Sequence, residues 1–283
     1  MKVLLTGAKG QLGIELIKQL KDLPNTAVME TDIHNLDITN KTEVEIIVYN
    51  YRPDVIINCA ALVKADFSET NEEITYSINS IGPQNLAIAA KKIGAKIVHV
   101  SSDYVFDGEI VKKRREFDAT NPQTVYGKSK VWGEDLVRES NDKHYIFRTA
   151  WLYGEGENFV RIMLRLSKEK EQLDIVADQF GTPTSTVDLS KCIINLIQTD
   201  YYGTYHATCE GECSWYDFTK KIFELKNINT KVNKITTEQL NRPAKRPKYS
   251  VLENFKLNLI GLNTFRNWEE ALIEYLKGEN YEV

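Results

Sequence analysis

Cysteine is scarce in this chain and unpatterned. The four cysteines stand at Cys59, Cys192, Cys209 and Cys213. Only the last two are close, and no second pair or histidine pair completes a zinc site, so the residues assign no metal ligands and free thiols are expected. No apolar run reaches the length of a membrane span. The opening Met1-Lys2-Val3-Leu4-Leu5 starts like a secretory leader, but Gly7, Lys9, Gly10 and Glu15 interrupt it too early. The expected compartment is the cytoplasm, with no membrane partner. A block of like charges is lacking too, and the net charge is only −4, which gives no support for nucleic acid as a partner. Any phosphate must therefore be held by a local device. Asn40-Lys41-Thr42 matches a glycosylation acceptor by chance in a chain that nothing routes to secretion. Repeats and low-complexity segments are absent. What remains, 283 residues with 42% hydrophobic and 27% charged, is the composition of a soluble protein with a sizeable core.

Short β-rich runs alternate with amphipathic stretches through the first half. The pattern predicts strands over 2–6, 27–30, 54–58, 96–101 and 145–149, with helices over 11–20, 42–51, 80–93 and 127–140. Leu12, Leu16 and Leu20 share one helical face. Val55-Ile56-Ile57 is continuous and apolar, as a parallel strand buried on both faces should be. The fold class is α/β, a Rossmann-type doubly wound parallel sheet. After Trp151 the rhythm changes, and Pro183, Pro243 and Pro247 punctuate irregular stretches. The expected division is a cofactor-binding domain over 1–152 plus roughly 185–200, and a smaller substrate-binding region over roughly 153–184 and 201–283. The helix 187–198 is expected to pack back on the sheet.

Thr6-Gly7-Ala8-Lys9-Gly10-Gln11-Leu12-Gly13 joins the first strand to the first helix. The first glycine permits a tight turn, the second a close approach to a pyrophosphate, the third close packing of helix on strand. Amide donors and a partial positive charge at the helix N-terminus suit phosphates. A glycine trio is weak on its own, but its place at a strand-to-helix junction is the context that makes it a dinucleotide site. Asp32, about 20 residues on, suits a ribose 2′-hydroxyl and favours NAD. Lys9 suits a 2′-phosphate and favours NADP. NADH and NADPH both stand as cofactors. Asp37, beside Ile38, is either an adenine-edge residue or a solvated loop carboxylate.

Tyr126 and Lys130 stand four residues apart at the start of a predicted helix, so their side chains share a face. An ammonium about 4 Å from a phenol contributes roughly 4 kcal/mol at an effective dielectric near 20, about a thousandfold in acidity. That suffices to turn tyrosine into a proton donor at neutral pH. Such a pair is common by itself. Ser101-Ser102-Asp103-Tyr104 adds weight, because it ends a predicted strand at the carboxyl edge where ligands of such sheets bind. The Ser102 hydroxyl suits a substrate oxygen.

These residues resemble the extended short-chain dehydrogenase/reductase group. More narrowly, Leu36-Asp37-Ile38-Thr39, Ser102 to Gly108, Arg148 to Gly154, Asn158-Phe159-Val160, Asp178 to Thr184, Ser214-Trp215-Tyr216 and Arg246-Pro247 resemble the dTDP-4-dehydrorhamnose reductases. The resemblance runs from the first strand to near the C-terminus. It implies a catalytic set of Ser102, Tyr126 and Lys130, with serine where that family usually has threonine. It places Ala60, Ala61 and Asn79 on the cofactor side. Asp103, Tyr104, Phe106, Trp151, Asn158, Gln179 and Arg246 fall around the sugar nucleotide. Arg246 suits a pyrophosphate, with a surface arginine as the alternative; Trp151 is either core or pocket wall.

Leu62, Val63 and Phe67 depart from the family's usual tyrosine, threonine and lysine on a stretch that faces the site. Some members form magnesium-linked dimers; no residue pattern here establishes that, and both monomer and homodimer stand. The implied reaction is NAD(P)H-dependent reduction of the sugar C4 ketone. The alternatives are a nucleotide-sugar epimerase or dehydratase on the same scaffold, and a cofactor-binding regulatory subunit like that of methionine adenosyltransferase.

Overall fold

The computed structural model describes residues 1–278; residues 279–283, the end of the expected 201–283 region, lie outside them. Five strands come from the first half of the chain: β1 Lys2–Thr6, β2 Ala27–Thr31, β3 Val55–Asn58, β4 Lys96–Ser102 and β5 His144–Thr149. Helices α1 Gln11–Lys21, α2 Lys41–Tyr51, α3 Ala65–Ser68, α4 Glu72–Tyr76, α5 Gly82–Ile93 and α6 Val125–Ser140 fill the intervals. All strand pairings in the central sheet are parallel, and the spatial order is β2-β1-β3-β4-β5 with one further strand outside β5. Chain order reverses at β1, so a crevice opens beyond the carboxyl ends of β1 and β3.

That further strand is Gly203–His206, paired in parallel with β5. It lies inside the 201–283 stretch expected to belong to the substrate region, yet it extends the central sheet. Four residues with one buried tyrosine carry too little periodicity to be read as a strand. The neighbouring helix Thr186–Ile197 packs against α1 as expected: Leu12 and Leu16 share one apolar cluster with Leu189, Cys192 and Ile193, and Gln19 Nε2 donates to the Val187 carbonyl at 3.1 Å. A second cluster lies on the opposite face, where α2 and α5 bury Val44, Val48, Leu86 and Ala90 over Leu4, Ile56 and Ile97.

The helix expected over 80–93 begins with a π turn, Ser77–Ile81, ahead of α5. Asn79 and Ser80 there turn toward α6. Gly133 makes the contact possible, because a Cβ at that position would strike the Asn79 carbonyl. The remaining elements, including helices Phe159–Glu169 and Trp215–Leu225 and the parallel pair Gln172–Val176 with Lys231–Ile235, build a smaller layer at the strands' carboxyl ends. Among the described residues, no helix is long and apolar enough to cross a membrane.

Candidate active site

The glycine turn joins β1 to α1 with little room for side chains. Gly7 has φ +69°, and a Cβ on it would lie 2.6 Å from the Ala60 amide nitrogen. A side chain at Gly13 would run into the Gly7 carbonyl, so this glycine sets the close approach of α1 to β1. Gly10 caps α1 in extended conformation with no side-chain cap, and no acidic residue occupies the first turn. The amides of Gln11 and Leu12 thus begin a helix whose positive end faces the crevice. Thr6 is buried, and the buried Gln11 Oε1 has no protein partner. These residues fit a pyrophosphate.

Asp32 follows β2 at the rim of the turn. Its carboxylate accepts the Lys9 amide at 3.1 Å and the Ile33 amide at 2.8 Å, while Lys9 itself is exposed. Asp37 accepts the Thr39 amide and hydroxyl at 2.9 and 2.8 Å, and Ile38 packs on Gly82. Ala60 and Ala61 border the turn, half-buried. Asn79 differs from expectation. Its Oδ1 accepts the Leu62 amide at 2.8 Å, and its Nδ2 donates to the Leu62 carbonyl and to Ser129 Oγ at 2.9 and 3.1 Å. With both its amide hydrogens and one oxygen lone pair engaged by protein, Asn79 holds the 60–62 segment in place.

The catalytic set converges. Thr124 caps α6 by accepting the Gly127 amide at 2.9 Å, which sets Tyr126 in the first turn beside Ser102. Tyr126 is buried, packing on Ala65 and Ala244 and meeting the Tyr104 ring edge-on at 5.4 Å. Ser102 Oγ donates to Asp103 Oδ1 at 2.8 Å and accepts the Tyr104 amide at 3.2 Å. Burial pushes the Tyr126 phenol up to about 12, against a Ser102 hydrogen bond that pulls it down. Burial likewise lifts the Asp103 carboxyl to about 6, despite hydrogen bonds from Ser250 and Ser102. The expected acidifying effect of Lys130 on Tyr126 is not realised here. Lys130 Nζ donates to the Val100 carbonyl at 2.6 Å, and burial lowers its ammonium to about 8.

Beneath this set lies an ion pair that the sequence reading missed. Glu134, with no exposed surface, accepts Arg148 Nε and Nη2 at 2.9 and 2.7 Å and Ser101 Oγ at 2.5 Å. Glu134 stands eight residues after Tyr126, two turns along α6, and nothing local marks it.

The residues expected around the sugar nucleotide divide. Tyr104, Asp103 and Arg246 gather near Tyr126. Arg246 forks onto Asp66, Nη2 to Oδ2 at 2.8 Å and Nη1 to Oδ1 at 3.0 Å, and Ala244 donates its amide to the same carboxylate at 3.1 Å. Trp151 has φ +47° and stacks flat on Trp215 with ring centroids 3.5 Å apart. Gly181 provides the room, since a Cβ there would meet the Trp151 ring at 2.5 Å. Gln179 is buried and donates to Thr237 Oγ1 at 3.2 Å.

Two of these residues have structural partners of their own. Phe106 is core: it is 2% exposed, packs on Val105 and Leu252, and lies under the Arg148 guanidinium. Asn158 is a helix cap that accepts the Arg161 amide, and its Nδ2 donates to the carbonyls of Gly154 and Gly156 and to Tyr275. Its amide nitrogen is shared between two backbone carbonyls and the Tyr275 hydroxyl.

The chain matches the family described as RmlD substrate binding domain over residues 1–280. It is 42% identical to the dTDP-4-dehydrorhamnose reductase of Aggregatibacter actinomycetemcomitans, covering 96% of this chain and 97% of that one. A crystal structure of a dTDP-4-dehydrorhamnose reductase from Clostridium acetobutylicum superposes with a TM-score of 0.96 at 52% identity, covering 98% of this chain and 99% of the other. The Bacillus anthracis dTDP-4-dehydrorhamnose reductase, solved in complex with NADP, gives 0.95 at 42% identity over 98% and 99%. The match over residues 1–280 and the near-full-length likeness to these reductases place this chain in the RmlD substrate-binding-domain family.

Proposed function

We propose that this protein reduces the C4 ketone of dTDP-4-dehydro-L-rhamnose to dTDP-L-rhamnose with NADPH, in the cytoplasm, with Tyr126 as proton donor. The observation that carries this reading is the meeting of a buried phenol, a serine hydroxyl and a buried lysine at the carboxyl edge of β4, across from the uncapped start of α1. A bound reduced nicotinamide supplies the hydride. The chain supplies position and a proton. Tyr126 gives its phenolic proton to the ketone oxygen as the carbon is reduced, so hydride and proton together complete the alcohol. Ser102 orients that phenol, and rotation about its Cβ–Oγ bond carries its own proton from Asp103 to the same oxygen. Lys130 faces the ribose side and supplies positive charge. The Asp66-held fork of Arg246 keeps donors available for a diphosphate. NADPH is assigned on the NADP complex of the Bacillus anthracis relative and on the exposed Lys9 beside Asp32.

The direct test is NADPH oxidation by purified protein with and without enzymatically made dTDP-4-dehydro-L-rhamnose. Oxidation dependent on the sugar nucleotide is expected, faster with NADPH than NADH. Cofactor binding without oxidation would sink the reading. A second result follows from Lys130, whose ammonium lies lowered to about 8. The group is charged below that pH and neutral above it, so kcat/KM should fall as pH rises through about 8. Lys130→Arg, charged throughout, should remove that limb even if the overall rate drops. An unchanged limb would show that another group titrates there.

A further inference from the structure

Behind Lys130 runs a line of buried polar side chains that proton donation by Tyr126 does not use. Thr6 closes β1, Asn58 closes β3, and His99 lies within β4; none is more than 1% exposed. Thr6 Oγ1 donates to Asn58 Oδ1 at 2.6 Å, and the Ala60 amide reaches the same oxygen at 3.2 Å. Asn58 Nδ2 lies 3.2 Å from His99 Nδ1, and His99 Nε2 lies 3.5 Å from Lys130 Nζ.

The partners fix where the protons are. A backbone amide can only donate, so the Asn58 atom facing Ala60 is the oxygen. The atom facing the imidazole is then the NH2 group, which also only donates, so His99 Nδ1 must accept and carries no proton. Burial, with the charges of Lys130 and Arg138 nearby, holds His99 well below its ordinary range. A neutral ring with a bare Nδ1 has its proton on Nε2. That N–H is aimed at Lys130. Against an ammonium it sets donor against donor, in keeping with the long 3.5 Å separation. Against a neutral amine it finds a lone pair.

Building on the assignment of Lys130 to the catalytic centre, we infer that Thr6, Asn58 and His99 are positioning residues that lock His99 in its Nε2–H form and so bias Lys130 toward losing its proton. The other groups around Lys130 are accounted for. Glu134, on the same helix, favours the ammonium but is committed to Arg148 and Arg138. Cys59, beyond β3, is pushed up to about 12 by burial and stays a neutral thiol. Tyr126 stands one turn earlier on α6 and is neutral. The carbonyl of Val100 is the remaining acceptor. Thr6 and Asn58 also flank the Gly7 turn, so the line joins the phosphate cradle to the catalytic lysine.

The test is nuclear magnetic resonance on the full chain without cofactor or substrate. Long-range proton–nitrogen correlations on labelled histidine report the tautomer, and the Lys130 Cε shift reports its titration. The expected wild-type result is a bare Nδ1. In Asn58→Asp a carboxylate faces Nδ1, the ring proton must move there, and Nε2 becomes an acceptor. Lys130 should then hold its proton about tenfold more tightly or better. His99→Phe removes the N–H without adding charge and should shift the Lys130 midpoint upward as well. A wild-type His99 protonated on Nδ1, or a Lys130 midpoint unmoved in both variants, overturns the inference. If both variants fail to fold, the wild-type tautomer decides. Failure of the reductase reading would appear separately, as absent NADPH oxidation.

Discussion

Tyr126→Phe should lower kcat/KM by roughly two to four orders of magnitude while leaving NADPH binding within a factor of about two. The substitution removes one oxygen and keeps the ring, which packs on Ala65, Ala244 and the edge of Tyr104. Packing and cofactor cradle should thus survive, and the lost quantity is the proton delivered to the ketone oxygen. Ser102 can hydrogen-bond the ketone oxygen but cannot replace the phenol, because a serine hydroxyl is too weak an acid to give up its proton. Steady-state rates and a fluorescence titration with NADPH separate the two effects. A near-wild-type rate would mean that another group donates; a large loss of NADPH affinity would mean that the phenol serves binding.

The second large effect concerns stability. Arg148→Met should destabilise the protein by about 3–5 kcal/mol, because it leaves the Glu134 charge buried without its main partner. Burial raises the Glu134 carboxyl, but the charge and hydrogen bonds of Arg148 outweigh it and hold the group below its ordinary value. A carboxyl lowered in the folded state contributes stability above its unfolded value, and the contribution is lost as pH falls through the folded one. The deficit in Arg148→Met should therefore show at neutral pH and shrink in acid. Denaturant melts at two pH values measure this. The double variant with Glu134→Leu should recover much of the loss, since no charge is then stranded. Equal stability of Arg148→Met and wild type at pH 7 would refute the account.

How much of this was legible in the sequence depends on whether the signal was local. The glycine turn, β3 with its Val55-Ile56-Ile57 run and the α1 face of Leu12, Leu16 and Leu20 are local patterns, and each lies where its periodicity placed it. The cluster of Ser102, Tyr126 and Lys130 was readable because a strand end and a helix start meet at the carboxyl edge of any such sheet. The π turn at Ser77–Ile81 was not, since an extra residue per turn leaves no mark on composition. Asn158 and Asn79 were placed by resemblance in binding roles, and their bonds to the surrounding chain carried no signal in the sequence. Glu134 and Arg148 are fourteen positions apart and meet only because α6 crosses β5. Their pairing is a product of tertiary packing. The Asn58–His99 line is similar: two strand ends and the middle of a third strand supply it, and no window of sequence contains it.

The sixth strand bears on how the chain is made. Gly203–His206 covers the outer side of β5 only after the chain has left the sheet at Thr149 and returned some fifty residues later. Until then β5 presents a bare row of amides and carbonyls, beside Tyr145 and Phe147, which are fully buried in the finished protein. A nascent chain that has emerged only as far as residue 200 is therefore an unfinished sheet with a sticky edge, open to pairing with another chain. The core sheet cannot be completed before the peripheral layer is begun; its last strand follows the first elements of that layer in the chain.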